Sequence, residues 1–164
     1  TFIKSTEIHA FQAALKKKKK RNTTVIGASC DTNEVHFAWL NTAKDNGGIE
    51  GVTYPLLADT TRNLSAALDI LDAEWVYNEE VNDEILEGSN VTFRATYLID
   101  EEGKIFHESV NDMPLGRNVN EYLRLIDAYT HVQTKGEVCP ANWEEGKEAM
   151  SADRNSTAAY LASH

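Results

Sequence analysis

The apolar positions Ile8, Phe11, Ala14 and Leu15 recur at helical spacing after Ser5 and Thr6, and Glu7 falls in the first turn, where a carboxylate complements the helix dipole. This pattern predicts an amphipathic helix starting almost at residue 1. Residues 23–28 are short, β-branched and not alternating, as in a buried strand of a parallel sheet. Asp31 and Glu34 bracket a capping box for a second helix carrying Val35, Ala38 and Trp39. That helix runs out into Asp45-Asn46-Gly47-Gly48, a loop signal, followed by an extended segment at 54–58 interrupted by Pro55. Leu64, Ala67, Leu68 and Leu71 then predict a third helix. Val91, Phe93, Ala95, Tyr97 and Ile99 alternate onto one strand face, and Asp100-Glu101-Glu102-Gly103 turns that strand into a second one at 104–110. Tyr122, Leu125, Ile126 and Tyr129 give a helix over 119–132, after which the chain is polar and its last thirty residues read as an arm.

Helix, strand, helix, strand, helix, hairpin, helix is the order of an α/β, thioredoxin-like fold whose first strands are missing from the given chain. In such a sheet the strand feeding the first helix is central, and without it the apolar faces of its neighbours would be exposed. The expectation is therefore an N-terminally incomplete thioredoxin-like domain over 1–134 and a C-terminal arm over 135–164. The 164 residues suit one hydrophobic core.

Charge narrows the function. Sixteen basic against 26 acidic side chains give −10, a sign that repels nucleic acid and anionic lipid. No apolar run reaches the ~20 residues needed to span a bilayer, and the first residues lack a signal pattern, so a soluble cytoplasmic protein is expected. Cys30 and Cys139 are far apart, without CxxC or His-rich surroundings, which argues against a metal site, a disulfide framework or a thioredoxin-type reductase. N-x-S/T triplets at Asn22, Asn90 and Asn155 matter only in a secreted chain. The lysine run 16–20 reads as a solvated helix end near the negative pole of the dipole.

Several strings carry a resemblance: Trp39-Leu40-Asn41-Thr42, Pro55-Leu56-Leu57-Ala58-Asp59, Arg94-Ala95-Thr96-Tyr97-Leu98-Ile99-Asp100, Val110-Asn111-Asp112-Met113-Pro114-Leu115-Gly116-Arg117 and Gly136-Glu137-Val138-Cys139-Pro140-Ala141-Asn142-Trp143. Over nearly its whole length the chain resembles the typical two-cysteine peroxiredoxins, the alkyl hydroperoxide reductase C family. That family carries its attacking cysteine in Thr-x-x-Cys-Pro-Thr-Glu at the start of the first helix. Here the segment is Thr1-Phe2-Ile3-Lys4-Ser5-Thr6-Glu7, so Thr1, Thr6 and Glu7 match while Lys4 and Ser5 replace the cysteine and proline. Departures cluster at Ile3 to Ser5 and in the lysine run, which is what a local reading error produces; drift in a disused enzyme spreads more evenly.

The resemblance implies a thiol peroxidase acting on hydrogen peroxide and alkyl hydroperoxides. A thiol of pKa ≈ 8.5 is mostly protonated at neutral pH, and a helix N-terminus and a nearby arginine lower that value. The resemblance assigns this arginine to Arg94, with Arg117 and Glu7 in support. The thiolate at position 4 would become a sulfenic acid, and Cys139 of the partner subunit would condense with it to a disulfide. Thioredoxin or a flavin-dependent disulfide reductase would reopen it. The implied assembly is a head-to-tail homodimer, often five to a decameric ring, with no metal or bound cofactor. A lysine amine of pKa near 10.4 stays protonated and cannot replace the nucleophile. The alternative implication is a redox-dead homologue kept as a ring scaffold or holdase chaperone.

Other residues have plainer readings. Cys30 is a small buried hydrophobe, and His9, His36, His107 and His131 are surface or satisfied histidines. Gly47-Gly48-Ile49-Glu50 and Tyr160-Leu161 sit where overoxidation-sensitive relatives carry Gly-Gly-Leu-Gly and Tyr-Phe, implying partial sensitivity.

Overall fold

The computed structural model describes residues 2–164, with the backbone alone at 2, 18 and 19, so the expectation on Thr1 lies outside the described residues. In chain order the elements are α1 (Phe2–Ala13), α2 (Leu15–Lys20), β1 (Gly27–Ser29), α3 (Asn33–Leu40), β2 (Leu56–Ala58), α4 (Asn63–Ala67), β3 (Leu71–Asn78), β4 (Asp83–Thr92), β5 (Arg94–Ile99), β6 (Ile105–Asn111), α5 (Val119–Lys135) and α6 (Arg154–Ser163). The described residues group into two compact units, those up to Leu15 with Thr24–Arg117, and Lys16–Thr23 with Asn118–His164.

In the first unit β1 and β2 pair in parallel, Gly27 opposite Leu56 and Ser29 opposite Ala58, as expected of a strand-helix-strand crossover. The apolar stripe of α1 supplies the core: Ile8 packs with Ile49 and Tyr54, and Phe11, Leu15, Trp39 and Val52 close around them. Two antiparallel hairpins follow, β3 with β4 and β5 with β6.

Several local expectations change. The cap of α3 is Thr32, whose hydroxyl accepts from the Val35 amide, because the Asp31 carboxylate is engaged by Lys4 and Ser29. The strand expected over 23–28 is confined to Gly27–Ser29, and Ile26 is 68% exposed rather than buried. Helix α4 lasts only five residues, since Asp69 takes a left-handed φ of 53° and hands Leu71 to β3. Val91 belongs to β4, and the strand from Arg94 buries the opposite face from the one its apolar alternation indicated: Arg94 and Leu98 are inside and Ile99 is exposed. A register shift between Leu98 and Ile99 accompanies the reversal. The β3–β4 hairpin escaped the sequence reading because its turn lacks Gly and Pro; Asn82 supplies the positive φ instead.

In the second unit Asn118 caps α5 and Gly136, at φ 69°, ends it, its backbone N–H donating a hydrogen bond to the Val132 carbonyl. Arg21 grips Asp127 with two nitrogens. The polar C-terminal stretch is more structured than an arm: Val138 bridges Met150, Asp153 caps α6, and Trp143 is buried. Among the described residues no helix is long and apolar enough to cross a membrane.

Candidate active site

Helix α1 places Lys4 and Glu7 one turn apart, hence on one face. Glu7 is 4% exposed, a burial that a carboxylate tolerates only when fully partnered. Its Oε2 accepts from Arg94 Nη1 at 2.8 Å and from Arg117 Nη2 at 3.1 Å, and its Oε1 accepts from Arg117 Nε and the Arg117 amide, both at 2.9 Å. Arg94 Nε donates to the Met113 carbonyl at 2.9 Å, and Arg117 Nη1 to the Ala95 carbonyl at 2.7 Å. One carboxylate thus fixes two planar guanidinium groups and leaves a net positive charge in a low-dielectric setting. Burial pushes the nearby Tyr54 hydroxyl up to about 12, so it serves as a donor, to the Ile8 carbonyl at 3.1 Å.

Lys4 itself turns elsewhere. Its Nζ meets Asp31 Oδ2 at 2.7 Å and stands 5.1 Å from the Trp39 ring centroid, a salt bridge with a cation–π contact. The Lys4 ammonium holds the Asp31 carboxyl below its ordinary range, with help from the Ser29 hydroxyl. Ser29 Oγ lies 2.9 Å from Asp31 Oδ2 and 2.6 Å from His36 Nε2. The hydroxyl has one proton and an ionised carboxylate can only accept, so Ser29 donates to Asp31 and His36 Nε2 donates to Ser29. The other ring nitrogen, His36 Nδ1, is buried without a hydrogen-bond partner among the described residues. Burial, then the Lys4 charge, push the His36 pKa down.

The Gly47-Gly48 turn is tied to the same region. Its Gly47 carbonyl accepts from Ser5 Oγ at 2.7 Å and Trp39 Nε1 at 3.1 Å, and the Gly48 carbonyl faces His9 Nε2 at 3.0 Å. Lys4, Ser5, His9, Asp31, Trp39 and Lys44 line an open groove of about 1000 Å³.

Of the expected site residues, Glu7, Arg94 and Arg117 meet in one cluster, with Lys4 one turn along α1. Cys139 belongs to the second unit, where its Sγ lies 3.7 Å from the Ala128 carbonyl; burial, then Glu137, push its thiol pKa up, opposed by Arg124. Cys30 and Cys139 are both free thiols. Cys30 faces Ser65 Oγ at 3.7 Å. The sequence reading missed Asp31 as the partner of residue 4, and Ser29 and His36 as the chain that runs on from Asp31. The one available signal was a polar trio at and just after a strand end, which the apparent capping box absorbed. Among the described residues no group of three or more His, Cys, Asp and Glu could hold a metal ion.

Comparison with known proteins gives the family. Residues 1–108 match the AhpC/TSA family, and residues 128–163 match the C-terminal domain of 1-Cys peroxiredoxin. The chain is 40% identical to alkyl hydroperoxide reductase C of Helicobacter pylori over 161 residues, covering 98% of this chain and 74% of that protein. It is 38% identical to peroxiredoxin tpx1 of Schizosaccharomyces pombe over 164 residues, covering all of this chain and 77% of the relative. The crystal structure of reduced Plasmodium vivax 2-Cys peroxiredoxin superposes with a TM-score of 0.86 at 36% identity, covering 99% of this chain and 76% of that one. The chain therefore belongs to the AhpC/TSA family of peroxiredoxins and has their thioredoxin-like α/β fold, a family of thiol peroxidases.

Proposed function

We propose that the site around residue 4 is built for reduction of hydrogen peroxide and alkyl hydroperoxides by a cysteine thiolate, and that the active form carries cysteine where this chain has Lys4. The observation that carries this reading is the Glu7 clamp on Arg94 and Arg117, which keeps positive charge buried beside the first turns of α1. A thiolate at position 4 attacks one peroxide oxygen. The O–O bond breaks, the alkoxide or hydroxide leaves with a proton, and the sulfur is oxidised to sulfenic acid. The Cys139 thiol of a partner subunit, carried on the 135–164 arm, then displaces water to form an intersubunit disulfide. A cytoplasmic thioredoxin or flavin-dependent disulfide reductase supplies the two electrons that reopen it. The proposed assembly is a homodimer, five of which make a decamer; no cofactor enters the cycle.

The test is restoration of the family motif in the full chain, Lys4→Cys with Ser5→Pro. Peroxide consumption with a dithiol reductant is expected from the double variant, lost again with Arg94→Met, and absent from the Lys4 chain. A folded double variant that leaves peroxide untouched overturns the reading. An intact-mass measurement on the source protein shows which residue it carries at position 4.

A second reading rests on Lys4 as it stands. Its ammonium is matched by Asp31 and seated on Trp39, so lysine is accommodated without an unpaired charge. This supports a redox-dead homologue acting as ring scaffold or holdase. Suppression of aggregation of a heated client protein by the Lys4 chain, undiminished by Cys139→Ser, is its expected signature.

A further inference from the structure

The proposed cycle needs Cys139 released, and the second unit holds it. Past Gly136 the chain reverses, and three contacts fasten the next residues to one stripe of α5. His131 Nε2 meets Glu137 Oε2 at 2.8 Å, Cys139 Sγ lies 3.7 Å from the Ala128 carbonyl, and Arg124 Nη1 donates to the Trp143 carbonyl at 3.0 Å. Residues 124, 128 and 131 are four and three apart, so they share a helix face, and they meet 143, 139 and 137 in antiparallel order. Cys139 is the middle contact.

The outer two are reinforced. The His131 ring stands 5.0 Å from the Trp143 ring at 52°, so one histidine touches both ends of the segment. Arg124 is itself fixed by Glu121, which accepts from its Nε at 2.7 Å and its Nη2 at 2.8 Å. Trp143 is buried, and its Nε1 donates to the Lys147 carbonyl at 3.1 Å. The His131, Glu137 and Arg124 side chains, by contrast, are 23%, 44% and 29% exposed. Water reaches the bonds that bracket Cys139, and such bonds open locally while the helix beneath them stays folded. Held in place, Cys139 is a poor nucleophile: burial, then Glu137, push its thiol pKa up, and the thiolate is the attacking species.

We propose that His131 and Arg124 form a latch on α5 that sets how fast Cys139 becomes available, which makes them positioning residues for the resolving step. The latch rests on the geometry of this unit alone; its place in resolution rests on the peroxidase reading. Once released, the Cys139 thiolate attacks the sulfenic sulfur. The S–S bond forms as the S–O bond breaks, and the hydroxide that leaves takes up the thiol's proton as water. Faster release leaves less time for a second peroxide to oxidise the sulfenic acid.

Site-resolved alkylation tests the latch in the chain as it stands. The full-length protein is treated with iodoacetamide, whose iodide a thiolate displaces, and uptake at Cys139 and Cys30 is followed by peptide mass spectrometry. His131→Phe keeps a ring against Trp143 but has no donor for Glu137. Cys139 is expected to react about tenfold faster in this variant, the effect of one charge-assisted hydrogen bond lost, with Cys30 unchanged. His131→Gln, which keeps a donor for Glu137, stays near the parent rate, a rescue that general loosening would not give. Unaltered Cys139 reactivity in His131→Phe, an equal rise at both cysteines, or a His131→Gln rate as fast as that of His131→Phe overturns the latch. In the Lys4→Cys, Ser5→Pro background, rapid-quench mass spectrometry separates the two oxidation steps. There His131→Phe is expected to leave sulfenic acid formation unchanged and to speed disulfide formation by the same factor. A background that never forms sulfenic acid sinks the peroxidase reading and not the latch; sulfenic acid that forms but resolves at an unchanged rate removes the latch from resolution.

Discussion

The ion pairs of Glu7 and that of Lys4, side chains one helical turn apart on α1, differ in everything but their chemistry. Glu7 and its two arginines are almost wholly inside, with side-chain exposures of 3%, 8% and 17%, and nearly every donor has a stated acceptor. Lys4 and Asp31 are 24% and 45% exposed, and water shares both charges. Removing one partner from a buried cluster leaves charge stranded in low dielectric, whereas an exposed pair is worth little either way. Burial, more than charge count, decides which position the fold depends on.

The largest expected effect follows directly. Glu7→Gln keeps the shape but leaves Arg94 and Arg117 without their counter-charge, and a loss of about 3–5 kcal/mol in urea unfolding is expected. A loss below about 1 kcal/mol would mean that the clamp is solvated and the contrast with Lys4 false.

A packing control comes next. A β-carbon on Gly48 would stand 1.9 Å from the Thr42 carbonyl oxygen, backbone that cannot rotate away. Gly48→Ala is expected to cost about 1–3 kcal/mol and to loosen the turn that Ser5 and His9 hold. In the Lys4→Cys, Ser5→Pro background the same change should reduce inactivation at high peroxide, because a looser turn gives Cys139 faster access to the sulfenic acid. Unchanged inactivation in that background removes this turn from the account of overoxidation.

The pH response separates the two titratable partners of Ser29, the buried His36 and the more exposed Asp31. His36 has a depressed pKa in the fold, so below about pH 6.5 the unfolded chain takes up a proton that the folded chain resists, and stability falls. His36→Gln should flatten that slope in thermal unfolding between pH 7 and 5. Asp31 is also depressed; its contribution is present above its unfolded value near 3.8 and is lost as pH falls through the lower folded value. A slope above pH 5 that survives His36→Gln would point to another group.

The smallest effect sharpens the comparison from the other side. Lys4→Met should change stability by no more than about 1 kcal/mol, and Lys4→Met with Asp31→Asn by no more than the single change within error, since both ends are hydrated. A double-mutant cycle in urea measures it. A coupling above about 2 kcal/mol would place Lys4–Asp31 in the same class as Glu7.

Much was legible in the residues alone. The period of Ile8 and Phe11 marked α1, the β-branched segment before Gly27 stood next to the short parallel strand, and the Arg94 and Arg117 strings pointed to the cluster that Glu7 holds together. These signals are local or carried by contiguous motifs, and a helix or strand period needs no partner to be visible. What the sequence could not display are relations between segments far apart in the chain. Residues 31 and 4 are 27 positions apart, so the pairing that takes Asp31 from its capping role exists only once the start of α1 lies beside the segment that follows β1. The face of β5 likewise followed from Glu7, 87 residues away, which makes Arg94 an inside residue against the apolar alternation of its own strand. Sequence thus determined several of the elements and the family. Only the tertiary structure decided which charges are buried, because burial belongs to packed surfaces and not to any stretch of chain.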